Sequence, residues 1–298
     1  MGKGYGIGHF EQAMDHVINI THKICAIDSG ERIIEIATKG WHNLLVTNTG
    51  RVISFGQNDY GQCGQEDVSN PVKTPSVIQP LAQMDTEIKF VATGTCHSIA
   101  ASSHHVYTFG SGKYGRLGHG NLETQVTPSR VPFFEQLFNG EHARRNYLRV
   151  EQVSCACNNS LVLDSSGTVY IMGKYRGEDQ MTPVRLSIDT RVRFVSGGDF
   201  FTGLITSTDE LYTFGDDSYG QLGNNMRNYV KEPTRVASID NVHKICCGSN
   251  HMAALTHDGK VYTWGKGEQG RLGFESKMNV YHPKELSIVR KKEVKQLD

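Results

Sequence analysis

Apolar and polar positions alternate along this chain in short bursts, and glycines close each burst. Val106-Tyr107-Thr108-Phe109 sorts its side chains to two faces and runs into Gly110, Gly112, Gly115 and Gly118. Alternation over a few residues predicts a strand. Clustered glycines after it predict a tight reversal, because such turns need positive φ or close backbone approach. The phrase recurs at Phe55–Gly64, Phe214–Gly223 and Trp264–Gly273, with a degenerate copy at Met172-Gly173. Phe55, Phe109, Met172, Phe214 and Trp264 are spaced 54, 63, 42 and 50 residues apart. A period of about fifty residues with four short strands per unit predicts a repeat array, most naturally a β-propeller.

A second phrase precedes each anchor. It reads Val91-Ala92-Thr93-Gly94-Thr95-Cys96-His97 in its fullest form, with counterparts ending at His42 and His251 and weaker ones ending at Asn159 and Phe201. Hairpin signals lie between phrase and anchor at Asn48-Thr49-Gly50, Ser165-Ser166-Gly167 and Asp258-Gly259. Pro71, Pro75 and Pro80 mark Glu66 to Gln83 as an outer connection rather than a central strand. The longest gap holds Phe134, Leu137 and Phe138 at a spacing that predicts a short helical turn, followed by a solvated loop with Arg144 and Arg145. The expected fold is therefore all-β: one domain over 1–298, a propeller of six or so four-stranded blades, or seven if the chain is a fragment. Gly2 to Gly8 reads as the tail of a repeat and Glu275 to Asp298 as the opening of another. The ring is expected to close by pairing N- and C-terminal strands, which would remove the sheet edges.

Composition narrows the chemistry. Formal net charge is zero, so no basic face for nucleic acid is expected. The seven cysteines form no C-x-x-C pair. Cys155 and Cys247 share a repeat slot that reads as a small, buried strand position, so packing is expected rather than disulfide or metal. That usage fits a reducing intracellular setting, cytoplasmic or nuclear. His42, His97 and His251 fall one per unit, which fits hydrogen bonding to a neighbouring strand, while His104-His105 is expected in an exposed turn. No apolar run reaches membrane-spanning length and no signal-peptide core is present. No hydrolase, nucleotide-loop or metalloprotease motif appears, so no covalent chemistry, cofactor, metal or bound nucleotide is expected.

At Ile245 to Gly273 the chain resembles the regulator of chromosome condensation repeat family: Cys-Gly-x-x-His, then Asp258-Gly259-x-Val261-Tyr262-x-Trp264-Gly265, then Gly270-x-Leu272-Gly273. The resemblance runs over almost the whole chain. It implies a propeller and, by its founder, a guanine nucleotide exchange factor for the small GTPase Ran. In that factor the third repeat loses its turn and carries a wedge-like loop after a G-x-F-R step, to which Gly173-Lys174-Tyr175-Arg176 is similar. Relatives competent in exchange carry acids in the turns before the repeat histidine. Here the third-unit turn, Cys157-Asn158-Asn159, has none and the fourth keeps Asp199. The resemblance thus implies a partner-binding loop of Lys174, Tyr175, Arg176, Glu178 and Asp179, with Asp199 on the same face, and Arg144 and Arg145 as a further cationic pair. The expected partner is a Ran-like small GTPase, and the alternative is a non-catalytic scaffold in a ubiquitin ligase, ciliary or cytoskeletal assembly.

Overall fold

The computed structural model describes residues 30–84, 86–140 and 148–287. They form five four-stranded antiparallel sheets, each a meander in chain order. The first blade is β1 (Ile33–Lys39), β2 (His42–Thr47), β3 (Val52–Gly56) and β4 (Val72–Val77). The second is β5 (Phe90–Thr93), β6 (His97–Ala101), β7 (Val106–Gly110) and β8 (Gln125–Arg130). The third is β9 (Val150–Cys155), β10 (Asn159–Asp164), β11 (Val169–Tyr175) and β12 (Glu178–Arg185). The fourth is β13 (Val192–Gly197), β14 (Phe201–Thr206), β15 (Leu211–Gly215) and β16 (Val230–Arg235). The fifth is β17 (Val242–Cys247), β18 (His251–Thr256), β19 (Val261–Gly265) and β20 (Val280–Glu285).

The first strands lie against one another in sequence, β1 on β5, β5 on β9, β9 on β13 and β13 on β17. They line the inside of an arc. The arc bends far enough for Lys39 of the first blade to hydrogen-bond Gly197 and Gly198 of the fourth. The expected sixth blade and the closing of the ring by terminal strands fall on residues outside those described.

Repetition explains the sequence phrase residue by residue. Four anchors are buried toward the preceding blade: Phe109, Phe214 and Trp264 are almost wholly inaccessible, as is Met172. The last turn glycine of one blade receives the next anchor: a Cβ at Gly223 would fall 2.7 Å from Trp264 Nε1, and one at Gly64 would press on the Phe109 ring at 3.2 Å. Thr108, Thr213 and Thr263 donate their hydroxyls to Leu117, Leu222 and Leu272 carbonyls at 2.7, 2.9 and 2.6 Å, which ties strand to turn. The degenerate third unit has Ile171 in that slot, and it has no such turn to hold.

The histidines join blades. His42 Nε2 lies 2.8 Å from Ser98 Oγ and His97 Nε2 lies 2.9 Å from Ser160 Oγ. Each serine donates onward to a carbonyl, Gln62 or Arg116, so its oxygen accepts from the imidazole N–H. Burial drops His42 to about 3 and His251 to about 4, so both stay neutral. Where the fourth unit has Phe201 in place of histidine, the next blade offers apolar Met252.

Three local expectations need correction. Pro75 lies in an outer strand, β4, not in a connection. A proline recurs there in every blade, at Pro128, Pro183, Pro233 and Pro283, and removes an edge donor that could recruit another strand. His105 is not a free turn residue: its Nδ1 lies 2.7 Å from Glu135 Oε1, while His104 is exposed. Third, Pro132–Asn139 is a two-turn helix, longer than the turn expected, and buries Phe134 and Phe138 over the second and third blades.

Candidate partner-binding end

In a meander, first-to-second and third-to-fourth strand connections emerge at one end of the blade. At this end the inner turns carry Trp41, Cys96, Asn158, Phe200 and Asn250 in one repeat slot. Each of these residues accepts a backbone hydrogen bond from the residue after an anchor glycine, namely Gln57, Ser111, Lys174, Asp216 and Lys266, at 2.8 to 2.9 Å. The outer connections are long in four blades. Gly110 pairs with Gln125, Gly215 with Val230 and Gly265 with Val280, fifteen positions on, and Gly56 pairs with Val72.

The third blade differs, as its sequence predicts, but not as a loop. Gly173 pairs with Gln180, Lys174 with Asp179 and Tyr175 with Glu178. Arg176 and Gly177, at φ 56° and 89°, make the turn. Two consecutive positive φ values define a type I′ hairpin, matched to strand twist. Lys174 to Gln180 is therefore a strand hairpin with a two-residue tip.

The hairpin engages its own ring. Tyr175 is 2% exposed and meets Phe214 edge-on, at 5.6 Å between centroids. That corrects the expectation of an exposed aromatic: with no glycine turn to receive Phe214, the Tyr175 ring takes its place. Arg176 stacks 4.9 Å over Tyr175 and pairs with Glu232 of the fourth blade. Lys174 pairs with Asp179 at 2.8 Å, and that hydrogen bond raises its ammonium above the ordinary lysine value. Asp199 lies 3.8 Å from Lys39 Nζ, which also donates to Gly197 and Gly198 carbonyls at 2.9 and 2.8 Å. Of the expected site, only Glu178 is exposed without an ion pair among the described residues. Arg144 and Arg145 lie outside the described residues.

Sequence reasoning missed the distribution of exposed apolar groups. Trp41, Tyr60, Tyr114, Leu122, Phe200, Met226, Tyr229 and Met278 each expose more than a third of their surface, and all belong to connections at this end. The other large apolar residues exposed among the described ones, Ile34, Ile36, Val126 and Met181, lie along strands. The opposite end, with the second-to-third hairpins, exposes none of this kind among the described residues. No group of three or more His, Cys, Asp or Glu there is placed to hold a metal, and no described helix is long and apolar enough to cross a membrane. Burial pushes the Cys155 thiol up to about 12, which fits packing.

Five meander blades, interlocked by glycine turns and histidine–serine links, define a β-propeller protein. The RCC1-like domain profile matches residues 3–298, and the chain belongs to that family. It is 29% identical over 313 aligned residues to the E3 ubiquitin-protein ligase HERC2 of Homo sapiens, covering 98% of this chain and 6% of HERC2. It is 31% identical to the ultraviolet-B receptor UVR8 of Arabidopsis thaliana, covering 86% of this chain and 58% of UVR8. It therefore spans less than two thirds of either relative. Among solved structures it resembles human WBSCR16, with TM-score 0.73 and 24% identity over 86% of this chain and 67% of that one. It also resembles yeast RCC1 (Prp20) bound to Kap60, with TM-score 0.60 and 18% identity over 85% of this chain and 74% of that one. Those likenesses concern the fold.

Proposed function

We propose that this propeller is a protein-binding module that docks a small GTPase, Ran-like first, on the end carrying Trp41, Phe200 and Tyr229. The observation that carries the reading is the concentration of exposed aromatic and apolar side chains on that one end, since such patches mark interaction surfaces. A yeast structural neighbour, Prp20p, is described by its binding to Gsp1p and histones, which supports a GTPase as the first partner class to test. Exchange, if present, makes no covalent bond: a protein element competes with the nucleotide's phosphate and Mg²⁺ contacts. Release of mant-GDP from a panel of small GTPases tests this. Release above the intrinsic rate for any member supports exchange.

A second reading is a non-catalytic scaffold in a larger assembly. It is favoured by the internal pairing of the hairpin and of Asp199, which leaves little for a wedge to offer. Capture of a GTPase without faster release supports this second reading.

A further inference from the structure

Three loops of one design cross blade junctions at this end, and they place Tyr60, Tyr114 and Tyr219 in one slot. Two of these rings carry an internal cation. Lys174 Nζ stands 5.5 Å from the Tyr114 centroid and Lys266 Nζ stands 4.7 Å from that of Tyr219. Each lysine directly follows the anchor glycine of the next blade. At the first junction that position is Ser111, and among the described residues no cation lies over Tyr60, which is 38% exposed.

The same loop is acidic. Asp59, Glu66 and Asp67 are exposed, none has an ion-pair partner among the described residues, and Gln57 to Pro71 contains no Lys or Arg. The basic groups on adjoining elements are Lys113 of the second loop and Lys73 of β4. Asp67 is held in place by its own loop. Asn58, wholly buried, donates to Gln65 and Asp67 carbonyls at 3.1 and 2.8 Å and accepts the Cys63 N–H at 2.9 Å. Ser69 donates twice to Asp67.

A third observation is a missing acceptor beneath the tyrosine. Gln62 is wholly buried and its Oε1 accepts the Tyr60 N–H at 2.9 Å, yet its Nε2 has no partner. The equivalent Gln221 Nε2 donates to Asp216 at 2.7 Å.

We propose that Asp59, Tyr60, Glu66 and Asp67 form a docking site for a lysine- or arginine-bearing segment of a protein partner. Its cation sits over Tyr60, where Lys174 and Lys266 sit at other junctions. A desolvated ammonium or guanidinium gains from the ring face and from the carboxylates together. The site deepens the reading above, because it rests on the same end being the working surface and names the partner's chemistry.

The test is fluorescence anisotropy with labelled oligolysine and oligoarginine peptides, and oligoglutamate as control, at low and near-physiological salt. Wild-type protein binds both basic peptides and not oligoglutamate. The Asp59→Asn, Glu66→Gln, Asp67→Asn triple variant binds about tenfold or more weaker, and Tyr60→Leu about threefold or more. Ser111→Lys, which supplies the internal cation, also weakens binding. Asp189→Asn, an exposed acid in the connection from β12 to β13 at the opposite end, does not. Should Ser111→Lys fail to fold, the exposed-residue variants still decide. The site is overturned if wild type binds no basic peptide, if the triple variant binds as wild type does, or if Asp189→Asn weakens binding equally. GTPase capture by wild type is scored separately: capture without peptide binding removes this site alone, and peptide binding without capture removes only the GTPase reading.

Discussion

Tyr175 and Phe214 meet edge-on across the third and fourth blades, 5.6 Å apart at 75° between ring planes. At other junctions a glycine turn receives the anchor, as Gly223 does for Trp264. The blade that lost its turn kept its junction by supplying an aromatic ring. Tyr175→Ala is therefore expected to lower stability by about 3 kcal/mol, as for a large buried aromatic, whereas Tyr175→Phe keeps the ring contact. Urea unfolding of both variants checks this. Equal midpoints for Ala and wild type would contradict the assignment.

Equivalent turn glycines differ in what surrounds them. Gly115, Gly220 and Gly270 have φ of 77°, 81° and 72°, so alanine at each is strained. At Gly115 and Gly220 a Cβ would also fall 2.6 Å from the Met181 Cα and 2.8 Å from the Tyr281 Cα, while at Gly270 nothing lies within 4 Å. Gly270→Ala is expected to cost about 1 kcal/mol and the other two clearly more. Thermal unfolding of the three single variants gives the order.

Glu35 occupies the slot of Gln152 on the inner strands. Gln152 bridges the next inner strand with both ends of its amide, accepting the Val195 N–H and donating to its carbonyl, each at 2.9 Å. Glu35 accepts the Val91 N–H, but partial burial raises its carboxyl to about 7. The folded pKa exceeds the unfolded one, so its stabilising contribution is complete below about pH 4.5 and is lost as pH rises toward 7. Glu35→Gln restores the donor at every pH. The variant is expected to gain on the order of 1 kcal/mol over wild type at pH 8 and little at pH 4, the gain being limited by solvent screening. Denaturant midpoints at the two pH values measure it.

Lys39 fills a slot held by Gly94, Gly198 and Gly248 in other blades, and its ammonium joins the first blade to the fourth. Lys39→Met removes two charge-assisted hydrogen bonds and leaves Asp199 uncompensated. A loss of about 1–3 kcal/mol is expected, with amide exchange accelerating at Gly197 to Phe201.

Much of this architecture is legible in the sequence, because repeats state the same local rule several times. Alternation before Phe109 and glycines after it read directly as strand and turn, and φ at Gly115 and Gly220 agrees. His42 and His97 read correctly as inter-blade hydrogen bonds, whereas no such bond is present at His251 among the described residues. The third-blade surface was not legible. Tyr175-Arg176-Gly177 reads as an exposed loop because nothing local says that Phe214 needs a partner. A hint lay in Ile171, which replaces the threonine that holds a turn elsewhere. Lys39 meets its acceptors 158 and 159 positions away, a distance at which local patterning is silent.

Capture of small GTPases by wild type and by a Phe200→Asp, Met226→Asp double variant tests the central claim most directly. Both side chains are 53% exposed, so the variant keeps its fold, as its thermal midpoint will verify. The account predicts that wild type retains at least one GTPase and that the double variant loses about tenfold or more in affinity. Capture unchanged in the double variant, or lost instead on His104→Asp at the opposite end, would contradict it.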